Sequence, residues 1–464
     1  MAEHTQIAFG DRNRGVQVGL NSGSITNEFH VPPERPETPP KPCLTIPFRR
    51  DADFVNRDTL LDQIQDACSR PASRVALVGL GGVGKSQLAI EYAYRTNDVA
   101  TQKSRPTWVF WIHAETRARV EEGFRALADT VKLPGRKQPD ADVLQLVEQW
   151  LRGIENGPWL LILDNADNVS VLFDTERGST SAANATVAND SRGRALWTYL
   201  PQSSHGSILI TTRNEKVAEK LTGGGKSIRV QPMDKEHALT LLKKKTGNKP
   251  DMENGVALVE ALEYIPLAIS QAGAYIRQQA PRTPRTPIRK YLEDFQKNEQ
   301  RKFSLLNRDE GDLRRDRDAS NSVIVTWQIS FESIRSERPS AADLLSLMSF
   351  FDRPGIPESL VRPLGYLSSK DRDTHYSESE RNEEDSDIDE RSDFGSESNS
   401  SSASSASEDS VGQSFEDDLQ MLRSYSLISM DETGEVFEMH SLVQLATRRW
   451  LSTEERVELF RNSL

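Results

Sequence analysis

One stretch, "RVALVGLGGVGKSQLA" at positions 74 to 89, limits what this chain can fold into. A short apolar run ends in a glycine cluster and passes directly into a helical pattern. Gly79-Leu80-Gly81-Gly82-Val83-Gly84-Lys85-Ser86 matches G-x-x-x-x-G-K-[ST] at every position. Glycines let successive backbone N–H groups turn toward a single anion, and the N-terminus of the following helix adds partial positive charge. The segment predicts a phosphate cradle on a strand–loop–helix unit. Lys85 would reach the β- and γ-phosphates of a nucleotide, and the Ser86 hydroxyl would bind Mg²⁺.

The surroundings predict an α/β fold with a parallel sheet. The runs "RVALVG" (74–79), "TWVFWI" (107–112), "WLLIL" (159–163) and "SILITT" (207–212) alternate with helical periods such as "ETRARVEEGFRALADTV" and "DADVLQLVEQWLRG". Apolar runs of this kind between helices belong to strands covered on both faces. After about Asp234 the pattern becomes helical. A second chemical element follows from "WLLILDNAD": Asp164 closes a buried run, where a carboxylate would hold Mg²⁺ beside the cradle. Its neighbour Asn165 cannot accept a proton as a carboxylate does, so hydrolysis is expected to be slow. Asp167 could partly substitute, or cap the next helix.

The order of further motifs resembles the NB-ARC group of signalling ATPases, the nucleotide-binding core of NOD-like receptors of the STAND class. "FVNRDTLL" (54–61) resembles the element that lies against adenine, with Arg57 retained and with Asn56 and Asp58 in place of Gly and Glu. "GSILITTRN" (206–214) resembles the strand whose terminal arginine, here Arg213, senses the γ-phosphate. "YIPLAI" (264–269) resembles Gly-Leu-Pro-Leu-Ala, with Tyr264 and Ile265 as departures and Pro266 at the base-contacting position. "EMHSLVQLA" (438–446) resembles the Met-His-Asp element of a winged-helix subdomain; Met439 and His440 match, and Ser441 departs. "TWQISFESI…AADLLSLMSFFDRPGIP" is similar to fungal members. The resemblance spans residues 54 to 446.

It implies a nucleotide-binding domain over 48–233, a helical ARC1 subdomain over 234–320 and a winged-helix-like subdomain over 321–464. Its implied nucleotide contacts are Arg57, Gly79, Gly81, Gly82, Val83, Gly84, Lys85, Ser86, Gln87, Arg213, Pro266 and His440. Lys85, Asp164 and Asp167 are the candidate catalytic residues, and Ser86 and Asp164 the candidate Mg²⁺ ligands. The resemblance further implies ATP and ADP as ligands. His440 would clasp the β-phosphate of ADP in a closed form, and ATP would favour an open, self-associating one, in a fungal setting of innate immunity and regulated cell death. Rival readings are an energy-coupled ATPase, a P-loop kinase, and a transcription regulator that uses the winged-helix region on DNA.

The net charge of -12 is local, because residues 370–412 hold 14 Asp/Glu against 4 Lys/Arg. The rest has no basic stripe, so nucleic acid is not an expected partner. This segment, with "SESNSSSASSASEDS", is expected to be disordered, as is the loop "GSTSAANATVANDSRG" at 178–193. Residues 1–47 form an expected disordered segment that ends in a proline-rich spacer, "VPPERPETPPKPC". Within it, "GVQVGLNSGSI" (15–25) alternates apolar and polar positions. It is either an amyloid-type signalling motif that contacts a downstream effector or a plain tail. Two cysteines, Cys43 and Cys68, point to a reducing compartment, and without a signal peptide or an apolar span the cytoplasm is the expected location. The chain stops just past the winged-helix region, where relatives usually continue into a helical-repeat sensor. Either the sensor is absent or the sequence is a short product.

Overall fold

The strands predicted from the apolar runs come together in one six-stranded parallel sheet in the computed structural model. It describes residues 40–102, 106–175, 194–247, 252–279, 287–307, 323–351, 354–362, 405–431 and 436–453. The strands are β1 (Leu44–Thr45), β2 (Arg74–Val78), β3 (Trp108–His113), β4 (Trp159–Asp164), β5 (Gly206–Thr212) and β6 (Lys226–Arg229), in the order β1-β3-β4-β5-β2-β6. Every neighbouring pair is parallel. The proposed motif at 15–25, the loop at 178–193 and most of the acidic segment lie outside the described residues.

Alternation along each strand divides the core. Val75 and Leu77, Val109 and Trp111, Leu160 and Ile162 face one side. Ala76 and Val78, Phe110 and Ile112, Leu161 and Leu163 face the other. Helices α1 (Asp58–Cys68) and α2 (Lys85–Gln102) cover the first side through Leu61, Ile64 and Leu88. Helices α3 (Arg117–Thr130) and α4 (Val143–Arg152) cover the second through Val120, Phe124, Val147 and Leu151. Thr116 and Asp142 cap these two helices by accepting from Arg119 N and Gln145 N. A short α5 (Val169–Phe173) follows β4, and α6 (Glu215–Thr222) joins β5 to β6. Trp159 anchors the second side: its indole donates to Leu151 O at 2.8 Å, and its ring lies over Gly206, where a Cβ would come within 2.1 Å.

The sheet begins earlier than the proline-rich spacer suggests, since Leu44 and Thr45 pair with Val109 and Phe110. The expected 1–47 segment therefore ends in sheet structure, and two residues are too few to show an alternation.

The first core side continues without a break into the helical region. There follow α7 (Lys235–Thr246), α8 (Met252–Ala261), α9 (Pro266–Gln279), α10 (Pro287–Lys297) and α11 (Glu299–Leu306). Next come α12 (Val323–Glu337), α13 (Pro339–Met348), a short α14 (Glu358–Val361), α15 (Ser405–Ser424) and α16 (Ser441–Thr453). Strands β7 (Pro354–Pro357), β8 (Ile428–Met430) and β9 (Val436–Met439) form a separate antiparallel sheet, in the order β7-β9-β8. Of these, β8 and β9 pair antiparallel as a hairpin. Helix α15 starts inside the segment expected to be a loop. Its downstream turns bury Phe415, Leu419 and Leu422, and a helix once nucleated extends at low cost per residue. Among the described residues no helix is long and apolar enough to cross a membrane.

Candidate functional site

The cradle occupies the turn between β2 and α2. Gly79 has φ +154°, and a Cβ there would lie 2.3 Å from Val230 O. Gly82 has φ +89°, and a Cβ would crowd Leu267 at 3.1 Å. Only glycine fits both places, so these positions hold the loop against two other segments. Gly84 also has positive φ, and Pro266 Cγ lies 3.9 Å from its would-be Cβ. Val83 is fully buried beneath the loop.

Lys85 opens α2. It is 7 % exposed, and its Nζ donates to Gly79 O at 2.7 Å and Leu80 O at 3.0 Å. Burial, followed by the positive charge of Arg213, pulls its pKa down to about 7, against the opposing pull of Asp167 and Asp164. Gln87, two residues on, is partly exposed on the same first turn.

Ser86 and Asp164 do meet. Ser86 Oγ donates to Asp164 Oδ1 at 2.7 Å, and Thr211 Oγ1 donates to the same oxygen at 2.6 Å. The carboxylate is 4 % exposed at the end of β4, with His113 Nδ1 4.0 Å from its other oxygen. One hydroxyl and one carboxylate oxygen suit a hard cation that takes its remaining ligands from water and phosphate. Among the described residues no group of three or more His, Cys, Asp or Glu could hold a metal without such help. The residues therefore fit a Mg²⁺–nucleotide. Asn165 follows Asp164 at φ +59°, a conformation asparagine tolerates better than most residues, and its N–H donates to Thr211 Oγ1 at 3.0 Å.

Asp167 does not cap a helix. Asn168 caps α5, accepting from Ser170 N. Asp167 instead holds Arg213, accepting from its backbone N–H at 2.6 Å and pairing with Nε at 3.3 Å. The Arg213 guanidinium then crosses to α12, donating to Thr326 O and to Ser330 Oγ, the latter at 2.8 Å. On the same helix, the Trp327 indole donates to Gly81 O at 3.1 Å, and a Cβ on Gly81 would strike Thr326 Cγ2 at 2.6 Å. Helix α12 is thus seated on both the cradle and the arginine. Sequence reasoning missed Thr326, Trp327 and Ser330 as site residues, although all three lie in the quoted "TWQIS".

Arg57 stitches two backbones together, donating to Val83 O at 3.3 Å, Gln231 O at 2.8 Å and Pro232 O at 3.3 Å. Burial lowers its pKa, and Asp234 opposes that shift. Pro266 begins α9, and the adjacent Leu267 N–H donates to Gly82 O at 3.2 Å. His440 lies just before α16 and pairs through Nδ1 with Glu263. Its ring centroid is 6.0 Å from that of Trp327. A cavity of about 540 Å³ opens between the cradle and the β8–β9 hairpin, lined among others by Gly79, Leu80, Pro232, Tyr264, Met439 and His440. Of the expected contacts, Gly79 and His440 line this cavity, whereas Arg57, through Val83 O, and Pro266, beside Gly84, adjoin the cradle outside its lining.

Strand order, cradle and the Ser86–Asp164 pair define a P-loop NTPase fold. No family model matches the chain. It is 32% identical over 431 residues to a nucleotide-binding leucine-rich-repeat (NLR)-like protein of Hyaloscypha variabilis; the match covers 90% of this chain and 37% of that protein. The chain carries a P-loop NTPase fold, is similar in sequence to part of that NLR-like protein, and spans little more than a third of its length. Among solved structures it is similar to a Walker-type ATPase of Pyrococcus abyssi (12% identity, 87% of this chain and 99% of that one, TM-score 0.48). It is also similar to a STAND protein with a tetratricopeptide-repeat sensor from Pyrococcus horikoshii (16% identity, 87% and 43%, TM-score 0.31). The fold is defined by this chain's own strand order and cradle.

Proposed function

We propose that this chain is a nucleotide-controlled signalling switch, closed with ADP and open and self-associating with ATP. Its setting is cytoplasmic, in fungal immunity or regulated cell death, with residues 15–25 contacting the downstream effector. Lys85 and the cradle N–H groups bind the phosphates, Ser86 and Asp164 carry Mg²⁺, and Pro266 and Arg57 border the base. His440 meets the β-phosphate from the winged-helix-like region. Mg²⁺, when bound, neutralises phosphate charge.

The observation that carries this reading is the double engagement of α12. Arg213, the group suited to a γ-phosphate, bonds to Thr326 and Ser330, while Trp327 holds Gly81. A γ-phosphate that draws Arg213 away removes two of those bonds at once. Inverting a population from 1:99 to 99:1 takes about 5.5 kcal/mol of differential binding. One charge-assisted hydrogen bond contributes roughly 1.5–3 kcal/mol, so several must change together. A nucleotide that bound both shapes equally would move nothing.

The test is to purify the protein, denature it and identify the released nucleotide by chromatography. Tightly retained ADP is expected, with Lys85→Ala empty and His440→Ala retaining less. A protein that is empty in all forms, or that turns over many ATP per second as a single molecule, contradicts the switch.

A further inference from the structure

Two residues in this region sit in a backbone conformation that suits neither. Glu263 has φ +50° and Tyr264 φ +58°, at the turn between α8 and α9. Left-handed backbone at bulky residues costs free energy and persists where the surroundings fix it. Here the turn delivers a carboxylate. Glu263 accepts from Ser441 N at 3.2 and 3.1 Å through its two oxygens, and it pairs with His440 Nδ1. Ser441 opens the thirteen-residue helix α16, so one acid from the first helical block both caps that helix and engages the residue just before it.

His440 Nδ1 is buried against the Glu263 carboxylate, close enough for an ion pair but without the geometry of a hydrogen bond. His440 and Glu263 both line the cavity, together with Gly79 and Leu80, and with Nδ1 turned to the acid, Nε2 is the ring nitrogen left for a ligand. A carboxylate beside one ring nitrogen fixes the orientation of an imidazole and turns its other nitrogen away from the acid. An anion in the cavity is met by an N–H donor.

We infer that Glu263 is the positioning residue for His440, holding the imidazole by Nδ1 so that Nε2–H is presented to a nucleoside diphosphate in the cavity. The inference rests on the reading that His440 meets the β-phosphate. It places the acid that serves this histidine in the first helical block, so the helical block and the winged-helix-like region must be docked before His440 is competent. Closure and phosphate recognition are then one event.

The test is a double-mutant cycle on the full chain, with ADP affinity measured by titration calorimetry for wild type, Glu263→Gln, His440→Ala and the double variant. Gln retains an oxygen for Ser441 N and loses the charge. Glu263→Gln is expected to weaken ADP about tenfold, the loss of one charge-assisted contact. His440→Ala should weaken it at least as much, and the double variant no further than His440→Ala alone. A Glu263→Gln protein that binds ADP like wild type overturns the inference. So does a loss that persists in full on the His440→Ala background, because a merely structural acid behaves that way. Glu263→Asp keeps the charge in a residue more at home at positive φ; a smaller loss than with Gln is expected, and an equal loss contradicts the charge argument. If His440→Ala itself leaves ADP affinity unchanged, the underlying reading fails with it. If only Glu263→Gln is silent, the failure belongs to this inference alone.

Discussion

Nucleotide binding should take up a proton, and Lys85 sets the amount. Without phosphates, burial and the charge of Arg213 pull the Lys85 pKa down to about 7. At pH 8 the amine is then ~10 % protonated, from a tenfold ratio of acid to base per pH unit. Phosphates at the cradle restore the charged form toward its ordinary value near 10.5. Binding ADP at pH 8 should therefore capture ~0.9 proton, falling to ~0.5 at pH 7. The ADP phosphates are already ionised at pH 8, since their second pKa lies near 6, so the proton goes to the protein. Calorimetric titrations in buffers of different ionisation enthalpy give this number as a slope. Affinity should also fall about tenfold per pH unit above 7. Lys85→Arg, permanently charged, should bind with no such uptake. Uptake near zero at pH 8 in wild type, or unchanged uptake in Lys85→Arg, refutes the reasoning.

Four further outcomes follow from the same contacts. Because the folded state lowers the Lys85 pKa, the unfolded chain holds the extra proton between about 7 and 10.5. The nucleotide-free protein should therefore gain up to about 1.4 kcal/mol of stability per pH unit across that window, and denaturant titrations should lose the trend in Lys85→Met. Trp159→Ala should cost about 3–5 kcal/mol of stability in the same assay, because the ring is 2 % exposed and fills the second core side. Asp164→Asn should abolish the Mg²⁺ dependence of ATP binding while leaving metal-free ADP binding within a few-fold, as read by fluorescence titration. Trp327→Ala, which removes the bond to Gly81 O, should speed proteolytic cleavage around α12 about tenfold or more while the sheet stays protected.

The four long strands were legible to within a residue at each end because their apolar runs are buried on both faces. Strands β1 and β6 were not. Leu44–Thr45 is too short for a pattern, and in Lys226–Arg229 only Ile228 is buried. The cradle and Asp164 were legible because their chemistry is local to one turn or one strand end. The Thr211–Asp164, Trp327–Gly81 and Glu263–His440 contacts span 47, 246 and 177 positions, and no spacing rule reaches that far. The strained turn was hidden for a different reason. Tyr264 stands where the family pattern has glycine, so the sequence withheld the usual sign of positive φ, and the backbone adopts it regardless.

Hydrogen exchange of α12 in the full chain, compared between ADP and a non-hydrolysable ATP analogue with Mg²⁺, tests the nucleotide-controlled switch most directly. Amides of residues 323–337 should be protected with ADP and exchange at least tenfold faster with the analogue, as the Arg213, Thr326 and Ser330 contacts part. Equal protection with both nucleotides, each shown to be bound, would contradict the account.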